Sequence, residues 1–223
     1  TLGANSYALA AISGGIINVL GDATVTTTGS GAHGIYSNNG SNIVIDGAAT
    51  VNTSGSNADG VNVVNAGLTM ASGTVNATGA GSKGIYWSQA DGDINFNSAA
   101  DVTSAQSTAI DLLTLNGAIH ATLTGDISAP DGTAILLNGK GAASESITLT
   151  TTGNILSATK INNTADGGAV TVNISGNITA AGTSGLLGSG TLNRDAIDVN
   201  AKGGEVIINS HGADKSITAV GTA

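Results

Sequence analysis

Apolar and polar residues alternate along most of the chain in short runs, each closed by glycine, asparagine, aspartate or serine. In the run Asn42-Ile43-Val44-Ile45-Asp46, two isoleucines share one parity and the valine has the other. Residues of alternate parity point to opposite faces of a β-strand, so we expect Ile43 and Ile45 to point inwards and Val44 outwards. The pattern therefore predicts β-strands with one buried face throughout the chain.

These runs recur at intervals of about 25 residues and fall into three sets. The first strand of each unit centres on Leu9, Ile35, Val61, Ile85, Ile110, Ile135, Ile161 and Ile197. The second strand centres on Ile17, Ile43, Leu68, Ile94, Ile119, Ile147, Val170 and Val206. The third strand centres on Val25, Val51, Val75, Val102, Ile127, Ile155, Ile178 and Ile217. Such a repeat predicts an all-β fold, a right-handed parallel β-helix (solenoid) of about eight rungs with three strands each.

Three interruptions of the repeat predict loops that project from the stack. They lie near residues 140–145, 181–195 and 211–215, where the spacing between strand centres lengthens. The second insertion contains glycines at 182, 185, 188 and 190, and we expect it to be dispensable for folding. Because the repeat runs from one end of the chain to the other, we interpret residues 1–223 as one β-helix segment, a fragment of a longer solenoid.

The composition limits what such a core can contain and what the surface can bind. Hydrophobic residues make up 40% of the chain but aromatic residues only 2%, so the core must consist mainly of Ala, Val, Ile and Leu. Charged residues make up 9%, against about 25% in an average domain, which favours a regular repeating β structure. The net charge of −9, with six Lys and Arg, argues against nucleic acid as a partner, because phosphate binding needs clustered cations.

Three turns share a short motif: Gly125-Asp126-Ile127, Gly153-Asn154-Ile155 and Gly176-Asn177-Ile178. With the rung length, the Gly-Ile strand openings, the low charge and the absence of cysteine, this motif resembles the passenger domain of a Gram-negative type V autotransporter, of the pertactin-like or self-associating adhesin kind. The resemblance implies a protein at the cell surface or outer membrane, or secreted. It also implies a C-terminal translocator barrel, which is expected outside this chain.

Two motifs that bind ligands in other proteins are interpreted here as turns. Residues 29–34 and 79–84 match Gly-x-Gly-x-x-Gly, but a dinucleotide site needs a helix to follow and here a strand pattern follows. Residues 91–95 read Asp-Gly-Asp-Ile-Asn and offer oxygens for Ca²⁺, yet the terminal glutamate of an EF-hand loop is missing. None of the three histidines has a second histidine at ligand spacing, so we expect neither a metal nor a cofactor.

One column of charged residues allows two interpretations. His33, Asp59 and Lys83 each lie two residues before a first-strand centre, so adjacent rungs would stack them. The favoured interpretation is a solvated charge ladder, worth about 0–1 kcal/mol per pair, with no catalytic residues. The alternative is a polysaccharide-active β-helix enzyme, a lyase or a hydrolase; hydrolysis would require two carboxyl groups roughly 5–10 Å apart.

The aromatic residues suggest where a partner could bind. Tyr36 and Tyr86 each follow a first-strand centre by one residue, so we expect both to face outwards, whereas Trp87 has the inward parity of the core. Exposed tyrosines can contact sugars or a partner protein. The candidate binding residues are these two tyrosines and three residues of the longest insertion, Leu186, Leu187 and Arg194.

The expected function is that of a surface adhesin or stalk segment. Its outward ladders and loops would bind a protein or glycan on host cells or on neighbouring bacterial cells. Self-association between rods is a further expectation, because the open ends of a solenoid expose unpaired strand edges.

Overall fold

The computed structural model describes residues 3–141, 145–181, 196–211 and 217–220, without the side chains of residue 181 and of residues 217–220. This part of the chain consists of β-strands and connecting turns, and none of its residues form a helix that could span a membrane. In chain order the strands are β1 Leu9–Ala11, β2 Ile16–Val19, β3 Ala23–Thr27, β4 Ile35–Asn38, β5 Asn42–Thr53, β6 Val61–Val64, β7 Gly67–Ala77, β8 Ile85–Gln89, β9 Ile94–Ser98, β10 Asp101–Ser104, β11 Ile110–Thr114, β12 Ile119–Leu123, β13 Ile127–Gly139, β14 Ile147–Thr151, β15 Ile155–Asn163, β16 Val170–Ile174, β17 Ile178–Ala181, β18 Ile197–Ala201, β19 Val206–Ser210 and β20 Ile217–Val220.

The strands stack in three parallel columns, and in the first and third columns each strand pairs with its equivalent in the next turn. The first column runs β1, β4, β6, β8, β11, β13, β15 and β18. The third column runs β3, β5, β7, β10, β13, β15, β17 and β20. Four long strands, β5, β7, β13 and β15, continue around a corner and so belong to two columns. The result is a parallel β-helix of about seven turns, which confirms the fold class predicted from the repeat.

The register of the third column agrees with the sequence prediction in every turn. Its paired positions are Val25, Val51, Val75, Val102, Ile127, Ile155, Ile178 and Ile217. Valine or isoleucine therefore occupies the same register position in every turn of this column. Those from Val51 to Ile178 are almost completely buried, and each contributes roughly 1.5–3 kcal/mol of transfer free energy, much of it offset by ordering the chain.

The first column departs from the prediction in its seventh turn. Ile161 pairs with Leu137, and the partner of Ile135 is Thr159, so the predicted equivalence of Ile135 and Ile161 is wrong by two residues. The corner between the third and first columns takes four residues here, from Ile155 to Thr159. The same corner takes eight residues in the preceding turn, from Ile127 to Ile135. Since the displacement is an even number, the inward parity of Ile161 is unchanged and its side chain is fully buried.

The second column is divided into two ladders. Strands β2, β5 and β7 pair with one another, as do β9, β12, β14, β16 and β19, but no pairing joins β7 to β9 among the described strands. The reason is a difference in the length of the preceding corner. This corner has two residues, 65–66, before β7, but four residues, 90–93, before β9. The predicted continuous aliphatic ladder from Ile17 to Val206 is therefore interrupted between Leu68 and Ile94.

The predicted alternation of burial holds through the middle of the stack. Ile43 and Ile45 are fully buried and Val44 is half-buried, and Trp87 packs edge-on against Phe96 with ring centroids 6.0 Å apart. The last described turn differs, because Val206 and Ile208 have the inward parity yet are 45% and 47% exposed. Strand β19 pairs with β16, and no other described strand pairs with its second edge.

The glycine-rich motifs form turns, as predicted. Equivalent positions in four successive turns have a left-handed backbone: Asn5, Gly31, Asn57 and Gly81, with φ of 53°, 64°, 53° and 71°. Asparagine and glycine tolerate this conformation, which explains why the motif requires only these residue types there.

The three predicted insertions fall largely outside the described residues. Residues 142–144, 182–195 and 212–216 are not described, so the predicted loops stay predictions. At the edge of the first insertion, Glu145 lies against the preceding turn and its Oε2 accepts a hydrogen bond of 2.6 Å from Gly117 N.

Candidate functional site

One side of the first column carries a continuous set of aromatic and ionisable side chains, which we name the lateral face. Its members come from the corner just before each first strand and from the strand's first outward position. They are Tyr7, His33, Tyr36, Asp59, Asn62, Lys83, Tyr86 and Asp111.

Glycines bring these corners close together. A Cβ atom added at Gly34 would lie 2.6 Å from the carbonyl oxygen of Gly60, and one added at Gly84 would lie 2.5 Å from that of Ala109. Such contacts are too short for a side chain at Gly34, Gly60 or Gly84, in the second, third and fourth turns. The Gly-Ile openings thus allow successive corners to stack, which places the lateral face residues side by side.

The first two turns contribute a stack of rings. Tyr7 and Tyr36 lie parallel with centroids 4.3 Å apart, and the imidazole of His33 lies 5.7 Å from Tyr7 and 5.9 Å from Tyr36. The hydroxyl of Tyr36 accepts a hydrogen bond of 2.8 Å from Asn38 Nδ2. Contact with Tyr7 covers one ring face of Tyr36, so the stack presents mainly ring edges and hydroxyl groups.

Asp59 lies at the centre of a hydrogen-bond network. Its Oδ1 accepts from the backbone N–H of Lys83 at 2.8 Å, and its Oδ2 accepts from Asn62 Nδ2 at 2.7 Å. The backbone N–H of Asp59 donates to His33 Nδ1 at 3.0 Å, so this nitrogen is unprotonated and the imidazole is neutral. Burial lowers the pKa of His33 below its ordinary value, and the nearby charge of Asp59 opposes this effect only in part.

Lys83 links two turns through its side chain. Its ammonium lies 2.6 Å from Asp111 Oδ2 and 4.0 Å from the ring centroid of Tyr86. Asp59 and Asp111 are only 8% and 7% exposed. The prediction of a solvated charge ladder is therefore wrong for Asp59, the one carboxylate among its three predicted members, because this residue is buried.

The predicted site residues have different outcomes. Tyr36 and Tyr86 have the expected outward parity and are half-buried in the lateral face, while their role in binding stays a prediction. Leu186, Leu187 and Arg194 lie outside the described residues. Sequence reasoning missed Tyr7 and Asp111, although each has the same spacing from a first-strand centre as His33 and Tyr36, respectively. Repeat spacing alone could have found both.

Residues 91–93 form a turn that leads into β9, and the two carboxylates of this turn bond to the next rung. Asp91 Oδ1 accepts from Asn116 Nδ2 at 2.9 Å, and Asp93 Oδ1 accepts from Ala118 N at 2.8 Å. In the described ranges, no group of three or more His, Cys, Asp or Glu side chains is placed to hold a metal ion.

The chain matches no protein-family model, no curated protein and no solved structure. Its function must therefore be argued from the lateral face and the fold that presents it.

Proposed function

We propose that this chain is a rigid stalk segment of an exported bacterial surface protein, of the autotransporter passenger kind, and that it adheres to other surfaces through its lateral face. The observation that supports adhesion is the ring stack of Tyr7, His33 and Tyr36, with the pair of Tyr86 and Lys83 on the same face two turns further along. The ring contacts and hydrogen bonds hold these side chains in place. A partner therefore meets a preorganised surface and loses little side-chain entropy of the adhesin on binding.

The orientation of the rings determines what kind of contact they make. Successive turns of a β-helix lie about 4.8 Å apart, and Tyr7 and Tyr36 are nearly parallel at 4.3 Å. The ring planes therefore lie across the rod, and the edges point outwards. A partner protein or glycan would contact ring edges and hydroxyl groups, so each contact is weak and adhesion gains strength by repetition between rods.

The burial of the two carboxylates favours a second candidate, the polysaccharide-active enzyme. Asp59 and Asp111 lie on the same face as His33 and Lys83, and this combination includes groups that could act as acid and base. Against this, Asp59 accepts bonds from Lys83 N and Asn62, and Asp111 is paired with Lys83. Both carboxylates are thus engaged within the protein, which supports contact over turnover.

The two candidates are separated by assaying the chain for adhesion and for turnover in parallel. Turnover is measured as release of reducing or unsaturated ends from acidic and neutral polysaccharides. Adhesion is measured with beads that carry the chain, on host cells and on bacterial cells. We expect adhesion without turnover. Turnover that disappears in Asp59→Asn, a variant of nearly the same shape, would establish the enzyme instead.

A further inference from the structure

The interruption between β7 and β9 leaves an open depression in the side of the rod. Its volume is about 620 Å³, and its wall includes Trp87, Gln89, Ala90, Asp91, Asp93 and Asn95. The depression forms because the four-residue corner before β9 is longer than the two-residue corner before β7, so the strands of the second column do not meet there. It lies outside the lateral face.

The rim of the depression accepts hydrogen bonds and carries negative charge. Asp91 and Asp93 each use Oδ1 within the protein, for Asn116 and Ala118, which leaves the second carboxylate oxygen of each without a partner in the described ranges. Asn95 is exposed beside them and can both donate and accept. None of the lining residues is Lys, Arg or His, so nothing in the wall can neutralise an acidic ligand.

The wall also contains a buried donor that has no acceptor. Trp87 is only 5% exposed, and its indole Nε1–H has no hydrogen-bond partner among the described residues. The neighbouring Gln89 side chain is held by a single bond of 3.3 Å from its Nε2 to the carbonyl oxygen of Ala66. This distance is longer than usual for N–H···O bonds, so Gln89 can move aside at little cost.

We propose that the depression binds one unit of a neutral oligosaccharide, at a site separate from the lateral face, which goes beyond the proposed function. Sugar hydroxyls donate to the second carboxylate oxygens of Asp91 and Asp93, and a sugar oxygen accepts from Trp87 Nε1 once Gln89 has shifted. A neutral sugar has many groups that both donate and accept, which suits a rim of acceptors around one buried donor. Uronic acids are excluded, because their carboxylates would meet two like charges without a cation.

The only tryptophan of the chain lines the depression, so its fluorescence reports directly on binding. The chain is titrated with neutral oligosaccharides of glucose, galactose, mannose and N-acetylglucosamine, and with tri-galacturonate. We expect at least one neutral oligosaccharide to change the emission saturably, and tri-galacturonate to have no effect. No change with any neutral oligosaccharide, or a change with tri-galacturonate alone, would overturn the inference.

Two variants test the site itself. Ala90→Phe fills the depression while the Ala90 N–H can keep its 2.6 Å bond to Asn65 Oδ1, and it should abolish the response. The double variant Asp91→Asn, Asp93→Asn keeps both Oδ1 acceptors but removes the charges. It should weaken the binding of the neutral sugar about tenfold, a loss of affinity typical of one or two hydrogen bonds. It should also allow tri-galacturonate to bind. Unchanged titrations in both variants, with unchanged melting temperatures, would place binding elsewhere.

A lateral-face control separates this inference from the proposed function. The variant Tyr36→Ser, Tyr86→Ser leaves the depression intact and should keep the fluorescence response. If the wild-type chain adheres to cells but its tryptophan does not respond to sugars, only the inference about the depression fails. If the tryptophan responds but the chain does not adhere, the proposed function fails and the sugar site remains.

Discussion

The ammonium of Lys83 lies 2.6 Å from the carboxylate of Asp111, and the two side chains are unequally buried. The side chain of Lys83 is 30% exposed and that of Asp111 only 9%. If the pair is broken, the lysine can therefore turn to water, but the aspartate cannot.

Removing either partner should therefore have unequal effects on the free energy of unfolding. Lys83→Met leaves a buried carboxylate without its cation and should cost about 3 kcal/mol. Asp111→Leu places a leucine next to Leu136, its register partner in the next turn, and should cost less than about 1 kcal/mol. Urea denaturation of both variants and of the double variant measures the difference. Equal losses in the two single variants would show that Asp111 reaches water.

The neutral state of His33 predicts a pH dependence of stability. Burial lowers its pKa in the folded protein, so the unfolded chain, with an ordinary pKa near 6.5, binds the proton more readily. Stability should therefore fall as the pH decreases below about 6.5 and level off below the folded-state pKa.

His33→Asn is the matched control for this effect. It can offer an oxygen near the position of Nδ1 to the backbone N–H of Asp59, but it does not titrate. The urea midpoint of the wild type should fall relative to that of this variant between pH 7 and pH 5. A difference that stays constant over this range would contradict a neutral His33.

Thr159 offers a stabilising substitution. Its side chain is completely buried, and its Oγ1 has no hydrogen-bond partner among the described residues. Thr159→Val replaces this hydroxyl with a methyl group and should stabilise the fold by about 1 kcal/mol. Thr27 is equally buried but donates to the carbonyl oxygen of Ala32 at 2.5 Å, so Thr27→Val should destabilise. The same sign of effect in both variants would contradict this account.

The fold could be predicted largely because each rung repeats the same apolar parity. The predicted register was wrong at Ile161. Thr159 and Ile161 share the inward parity, so only the length of the corner shows which of them is the register partner of Ile135. That corner is short because Ser157 has a φ of 113°, a conformation rare for a residue other than glycine. Neither the alternation of apolar and polar residues nor the repeat length reveals that one serine has an unusual backbone conformation.

The site was harder to predict than the fold. The stacking of His33, Asp59 and Lys83 follows from the repeat spacing, but the burial of Asp59 and Asp111 does not. It depends on how side chains of neighbouring turns lie against them, as Lys83 does against Asp111. The depression beside Trp87 was also missed, because it arises from two corners of different length in adjacent turns.

Two matched substitutions, each of which introduces one negative charge, test which residues of the second column point inwards. Ile94→Asp would bury an unpaired carboxylate between Ile119 and the core and should cost several kcal/mol, on the order of 3–5. Val44→Asp lies at an outward, half-buried position of the same column and should cost less than about 1 kcal/mol. The free energies of unfolding from urea melts compare them, and similar losses would mean that the register is wrong.

The central claim is that the lateral face acts by contact through its tyrosines. The most direct test is the number of coated beads that remain bound to host or bacterial cells under flow, for the wild-type chain and two variants. Tyr36→Ser, Tyr86→Ser should reduce retention at least about tenfold, since repeated weak contacts are lost together, while Asp59→Asn should leave it unchanged. Melting temperatures close to that of the wild type establish that the variants are folded. Full retention without the two tyrosines would contradict the claim.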